Sequence, residues 1–206
     1  MLFPRLTSLS ILALSLPLFA GSSAPGIENF RQVDEHVYRG AQPSEEGLRY
    51  LAKTGVKTII DLREADGRGR AEEAMVKAAG MTYVNVPMTG LTPPTEREMT
   101  QILTILEDQV QGPVFVHCKR GADRTGAVIG AYRIEHSHWD NAHALQEAKA
   151  NGMGHFQFPR QSFIRDFRPR TIEAKSGLPK AAIGTSSNPA IANSELPIEP
   201  QPVSAR

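Results

Sequence analysis

The sequence predicts an α/β domain in which a central, mainly parallel sheet of four to five strands is flanked by helices. Three features of the 206 residues carry that prediction: short β-branched or aromatic runs, helical patterns between them, and start and stop residues separating the two. With 40% hydrophobic and 22% charged residues, the chain has enough apolar content for one globular core.

In chain order, "HVYRG" (36–40) reads as the first strand. Ser44 is placed to cap the helix "EEGLRYLAKTG", which stops at Gly55. "VKTIIDLR" (56–63) is the second strand, and the helix "RAEEAMVKAAG" ends at Gly80. "MTYVNVPM" (81–88) is the third strand, after which Thr95 and Glu98 form a capping box opening "EREMTQILTILEDQV". "PVFVHC" (113–118) is the fourth, followed by the apolar helix "AVIGAYRIEH", where Gly126 and Gly130 are expected to let helix and sheet approach closely. Phe163, Ile164 and Phe167 are spaced to dock a last helix.

The folded unit is expected to span residues 27–172. Residues 1–20, "MLFPRLTSLSILALSLPLFA", have the form of a secretory signal: one Arg, an apolar stretch without acids, then small residues. The run from Leu9 to Phe19 is short for a bilayer span and contains Pro17, so no stable membrane span is expected in the mature chain. Export to the periplasm or medium follows. The Pro-, Ser- and Ala-rich segment 173–206 carries no aromatic residue and is expected to be disordered.

Loss of Arg5 with the signal would leave 22 basic against 22 acidic residues. That balance excludes a general nucleic-acid binder and a polybasic membrane binder. The chain has one cysteine, Cys118, so an internal disulfide is impossible and the thiol is either buried packing or a reactive group.

Cys118 stands at the carboxyl end of a strand, where open α/β sheets bind ligands. A tight turn then leads into a helix N-terminus, which directs unpaired N–H groups and a favourable dipole at one point. A thiol at the centre of such an anion cup is favoured as thiolate and becomes a nucleophile. Arg124, six positions on, can grip two phosphate oxygens with its planar fork. Thr125 can donate to the sulfur, and His117 can hold the loop through its ring N–H.

The stretch "HCKRGADRTG" resembles the signature of the cysteine-based protein tyrosine phosphatases, His-Cys-x-x-Gly-x-x-Arg followed by Thr or Ser, and falls at the strand-to-helix junction that motif requires. "VYRGAQPS" and "TIIDLRE" also resemble segments of small, atypical dual-specificity phosphatases. The resemblance implies that Cys118 attacks phosphorus to form a phosphocysteine, later hydrolysed by water. Lys119, Arg120, Gly121, Ala122, Asp123 and Arg124 would form the phosphate-binding loop, without metal or other cofactor. In "EHSHWDNAH", His136, His138 and His143 lack the carboxylate or thiol that would complete a metal set.

The family's acidic residue, an aspartate on a mobile loop, protonates the leaving oxygen, a step worth roughly 10²–10⁴-fold. The corresponding loop, "PMTGLTPPTEREM" (87–99), contains no Asp. Asp123 is therefore the first candidate and Glu96 the second, Glu98 being engaged in the capping box. Asp123 paired with Arg120 is the competing reading.

Lys119 and Arg120 add charge beyond what phosphotyrosine requires and resemble the loops of plant and fungal enzymes active on inositol pyrophosphates. They suit an inositol phosphate or phosphoinositide as well as a phosphorylated protein, handled by a monomer. Arg160, Arg165, Arg168 and Arg170 read as a solvated basic face. Asp61 and Arg63, at the end of the second strand, either line the site or pair with each other or with Arg39. Two rivals are kept: a pseudophosphatase that only binds phosphate, and a rhodanese-type sulfurtransferase, which lacks the conjunction of His117, Arg124 and Thr125.

Overall fold

The computed structural model describes residues 24–170; the expected signal and the segment 173–206 lie outside them. A five-stranded sheet is formed by β1 (Arg31–Gln32), β2 (Val37–Ala41), β3 (Thr58–Asp61), β4 (Thr82–Asn85) and β5 (Val114–Cys118), in the order β1-β2-β5-β3-β4. All pairings are parallel except that of β1 with β2. The two-residue β1 had no sequence signal because its residues are both exposed.

Six helices surround the sheet: α1 (Glu45–Thr54), α2 (Gly67–Ala78), α3 (Glu96–Glu107), α4 (Asp123–Glu135), α5 (Asn141–Ala150) and α6 (Phe158–Asp166). Ser44 caps α1 by accepting from Gly47 N, and Gly55 ends it at φ 96°, a conformation unfavourable to residues with a Cβ. The capping box of Thr95 and Glu98 opens α3 as expected. Helix α2 begins at Gly67, three residues before the predicted Arg70. Helix α5 was not predicted, although Asp140 caps it by accepting from His143 N at 2.8 Å.

Neighbouring strand residues point to opposite faces and build separate cores. Ile60 and Val116 pack with Ile102, Leu103 and Tyr132 beneath α3 and α4, whereas Ile59 and Phe115 pack with Leu48 and Leu51 of α1. Each such buried aliphatic side chain contributes about 1.5–3 kcal/mol. Gly126 and Gly130 make room for side chains beyond α4 rather than for the sheet: a Cβ at Gly126 would meet Met153 at 3.0 Å, and one at Gly130 would meet Ile164 at 3.1 Å. Ile164, Phe163 and Phe167 dock α6 against α4 and α5.

No helix among the described residues is long and apolar enough to cross a membrane. His143 stacks on Trp139 at 3.8 Å and His136 on Tyr132 at 4.8 Å. These two histidines serve packing.

Candidate active site

Register places the site. Cys118 pairs with Ala41 of β2, and the preceding His117 pairs with Gly40 and Asp61, so three strand ends converge on the thiol. The loop that follows is held by its carbonyls, which face away from the cup. Lys119 O accepts from Gln42 N at 3.4 Å, while Asn29 Nδ2 donates to Arg120 O at 3.3 Å and to Gly121 O at 3.0 Å. Arg39 Nη2 adds a 2.6 Å bond to Gly121 O.

In a trans peptide the N–H points opposite the C=O, so the amides of Arg120, Gly121 and Ala122 are turned inward. Ala122, at the start of α4, offers no side-chain cap, leaving the first helical N–H groups toward the same cup. Gly121 has φ 67°, and a Cβ there would lie 2.3 Å from the Gly40 backbone. No other residue fits.

Cys118 is buried, 3% exposed. Burial pushes its thiol up, but the hydroxyl and N–H of Thr125, the Arg124 charge and the Arg120 N–H hold it below the ordinary thiol range. Thr125 Oγ1 is buried beside the thiol, and after burial its hydroxyl is the largest influence on the Cys118 thiol, favouring the thiolate. Arg124 Nη1 reaches Leu62 O and Met88 O, each at 3.3 Å, spanning the ends of β3 and β4. A cavity of about 140 Å³ is lined by Gln42, Arg63, Glu64, Gly90, Lys119 and Arg124.

Behind the cup lies a buried polar network. Arg63 donates to Asp61 Oδ2 at 2.6 Å and to Glu72 Oε2 at 2.7 Å, and Tyr83 Oη donates to Asp61 Oδ2 at 2.7 Å. His117 Nε2 lies 2.8 Å from Glu72 Oε1, and its Nδ1 lies 3.4 Å from Cys118 O. The imidazole next to Cys118 thus lies against Glu72 of α2. Burial raises Asp61, but Arg63 and His117 hold its carboxyl below the usual range. Asp61, Glu72 and His117 are close enough to share a cation, yet Arg63 already supplies positive charge to both carboxylates.

Asp61 and Arg63 therefore pair with each other, and Arg39 stands apart beneath the anion loop. Arg39 is 1% exposed, its Nε and Nη1 have no partner, and burial pushes its guanidinium down to about 10. Its charge lies under the cup. Lys119 and Arg120 are both exposed; Lys119 lines the cavity and Arg120 turns aside to pair with Asp123.

The acid candidates fare differently from the nucleophile. Asp123 Oδ2 accepts from Arg120 and Oδ1 accepts from Gly154 N at 2.9 Å, so both oxygens are occupied and the side chain braces the loop against the α5–α6 connection. The geometry supports the pairing reading over the acid. Glu96 opens instead onto an apolar groove of about 410 Å³ with Met99, Leu103, Phe163 and Phe167.

The basic face of α6 is also corrected. Arg160 is fully buried, donating to Gly90 O at 2.7 Å and Thr89 O at 2.6 Å, and Arg170 pairs with Glu135 and Glu107. Only Arg165 and Arg168 extend toward solvent.

Sequence reasoning missed Asn29, Glu72 and Glu64, and assigned Arg39 no part in the loop. An Arg inside the strand "VYRGA" was a signal, because a buried charge demands a purpose. Glu72 gave none.

A cysteine at the centre of inward amides, on a parallel sheet of this order, defines a cysteine-based phosphatase fold of the atypical dual-specificity branch. The chain belongs to the family described as DSP-PTPase phosphatase fused to NAD+ kinase, whose model matches residues 21–166.

Among curated relatives, the dual specificity protein phosphatase TpbA of Pseudomonas aeruginosa is 31% identical over 67% of this chain and 61% of its own length. A probable chloroplastic NAD kinase 2 of Oryza sativa subsp. japonica is 29% identical over 65% of this chain and 14% of its own. The chain thus spans less than two thirds of either relative. The crystal structure of TpbA superposes with a TM-score of 0.61 at 25% identity, covering 71% of this chain and 89% of that one. The catalytic domain of the S. cerevisiae PP-IP phosphatase SIW14, in complex with citrate, gives 0.63 at 25% identity with the same coverages.

Proposed function

We propose that this protein hydrolyses phosphate monoesters through a phosphocysteine on Cys118. The observation that carries this reading is the inward-facing amide loop around a thiol held below its ordinary range by Thr125 and Arg124. Cys118 Sγ attacks phosphorus in line, the P–O bond to the leaving group breaks, and Arg124 with the loop amides stabilises the equatorial oxygens. Water then cleaves the S–P bond.

For substrate, the reading is a multiply phosphorylated anion, an inositol phosphate or phosphoinositide, ahead of a phosphoprotein. Lys119 lines the cavity together with Arg124, adding a second unneutralised positive charge beside the arginine that would hold the phosphate. Relatives named as an inositol diphosphatase and as a PP-IP phosphatase agree with this preference, while TpbA, named as a dual specificity protein phosphatase, supports the phosphoprotein alternative. Export follows from residues 1–20 and is part of the same proposal, placing the substrate outside the cytoplasm.

The test is a panel of phosphopeptides, phosphoinositides and inositol phosphates on wild type and Cys118→Ser. Turnover is expected to fall by roughly 10⁴-fold or more in the variant. Binding without turnover by the wild type on every substrate would leave the pseudophosphatase reading in its place.

A further inference from the structure

We propose that Glu64 is the general acid of this site, a reading that rests on the phosphatase activity proposed above. The reaction needs a carboxyl group beside the leaving oxygen, and the acidic side chains already placed around the cup can be taken in turn. Asp61 and Glu72 are 0% and 1% exposed and are committed to Arg63 and His117. Asp123 has both oxygens occupied, by Arg120 and Gly154 N. Glu98 Oε2 accepts from Thr95 N at 2.6 Å, and Glu96 faces the separate groove. Among the described residues, Glu64 is the one carboxylate lining the cavity that holds Arg124 and Lys119.

The chain leading to Glu64 is rigidly held. Leu62 N donates to His117 O at 2.9 Å, Arg63 N to Asp61 Oδ1 at 2.8 Å, and Asn85 Nδ2 to Asp61 O at 2.8 Å and Arg63 O at 3.0 Å. Arg124, which grips the phosphate, touches Leu62 O, only two residues before Glu64. Two residues span at most about 7 Å, which keeps the Glu64 backbone close to the Arg124 guanidinium, and the Glu64 side chain lines the same cavity. Glu64 is exposed, which lets it exchange its proton with solvent between turnovers. The family's usual loop, by contrast, is tied down at Thr89 and Gly90 by Arg160 and carries no aspartate.

In the first step the S–P bond forms as the P–O bond breaks, and the Glu64 carboxyl proton passes to the departing oxygen. In the second, the Glu64 carboxylate takes a proton from water as the water oxygen bonds to phosphorus and the thiolate of Cys118 leaves. The carboxyl is thereby restored.

The experiment compares 4-nitrophenyl phosphate, whose leaving group needs no proton, with phenyl phosphate, whose leaving group does, using the full chain as wild type, Glu64→Gln and Asp123→Asn. Glu64→Gln is expected to lose on the order of 100-fold more kcat on phenyl than on 4-nitrophenyl phosphate. Equal losses on the two substrates, or the selective loss appearing in Asp123→Asn instead, would overturn the assignment while leaving the phosphatase reading intact. No turnover of 4-nitrophenyl phosphate by the wild type would sink that reading, and this one with it.

Discussion

Two loops leave the same edge of the sheet, and they are built in opposite ways. The loop after β5, residues 119–122, has its carbonyls captured from outside by Gln42, Asn29 and Arg39, so its amides are free to face an anion. The loop after β4 is also held by carbonyls, at Thr89 and Gly90, but by the buried guanidinium of Arg160 reaching across from α6. The first arrangement organises donors around a nucleophile. The second only anchors a wall.

The contrast breaks most completely at Gly121. In Gly121→Ala a Cβ would lie 2.3 Å from the Gly40 backbone, which cannot retreat as a side chain can. A stability loss of about 2–3 kcal/mol is expected, with Tm lowered by roughly 5–10 °C on calorimetry. Turnover should fall with it, even below the new Tm. An unchanged Tm would mean that the loop does not rest on β2 as described.

Asn29→Ala sharpens the comparison with a smaller effect. It removes donors from Arg120 O and Gly121 O without touching the cup, so the amides lose their enforced direction. A thiolate exists above its pKa, and because Cys118 is held low, its iodoacetamide inactivation should rise at a pH below the ordinary thiol range. In Asn29→Ala that rise should move to higher pH, and kcat/KM should drop about tenfold, the equivalent of one or two hydrogen bonds. An unmoved alkylation profile would show that the loop keeps its direction without Asn29.

Arg160→Met should matter least. Burial already disfavours the guanidinium charge, and Met retains much of its volume, so the loss is two carbonyl hydrogen bonds and one to Gln157 Oε1. A change of Tm within about 2–4 °C and an alkylation profile like wild type are expected. A shift as large as that of Asn29→Ala would erase the distinction between the two loops.

The fold was legible wherever the signal was local. Ser44, Gly55, Thr95 and Glu98 mark helix ends through hydrogen bonds or dihedrals that a few neighbouring residues determine. The motif around Cys118 was legible for the same reason, since Cys118, Gly121, Arg124 and Thr125 lie on eight consecutive residues. Asn29, Arg39 and Glu72 were not, because Asn29 and Arg39 act on the loop, and Glu72 on the neighbouring His117, across long stretches of chain. Arg160 was misjudged as surface because four arginines in eleven residues look alike until packing separates them.

What the sequence by itself determined is the order of the long strands and most helices, the family and the phosphatase-like motif around Cys118, all written in short-range patterns of period, caps and spacing. What only the tertiary structure decided is which carboxylates are already spent. Asp123 stands in the motif with both oxygens bonded, to Arg120 and Gly154 N, while Glu64, at the end of the segment TIIDLRE, lines the cavity. Spacing records which groups a segment carries, but a carboxyl's freedom depends on the partners that folding brings to it.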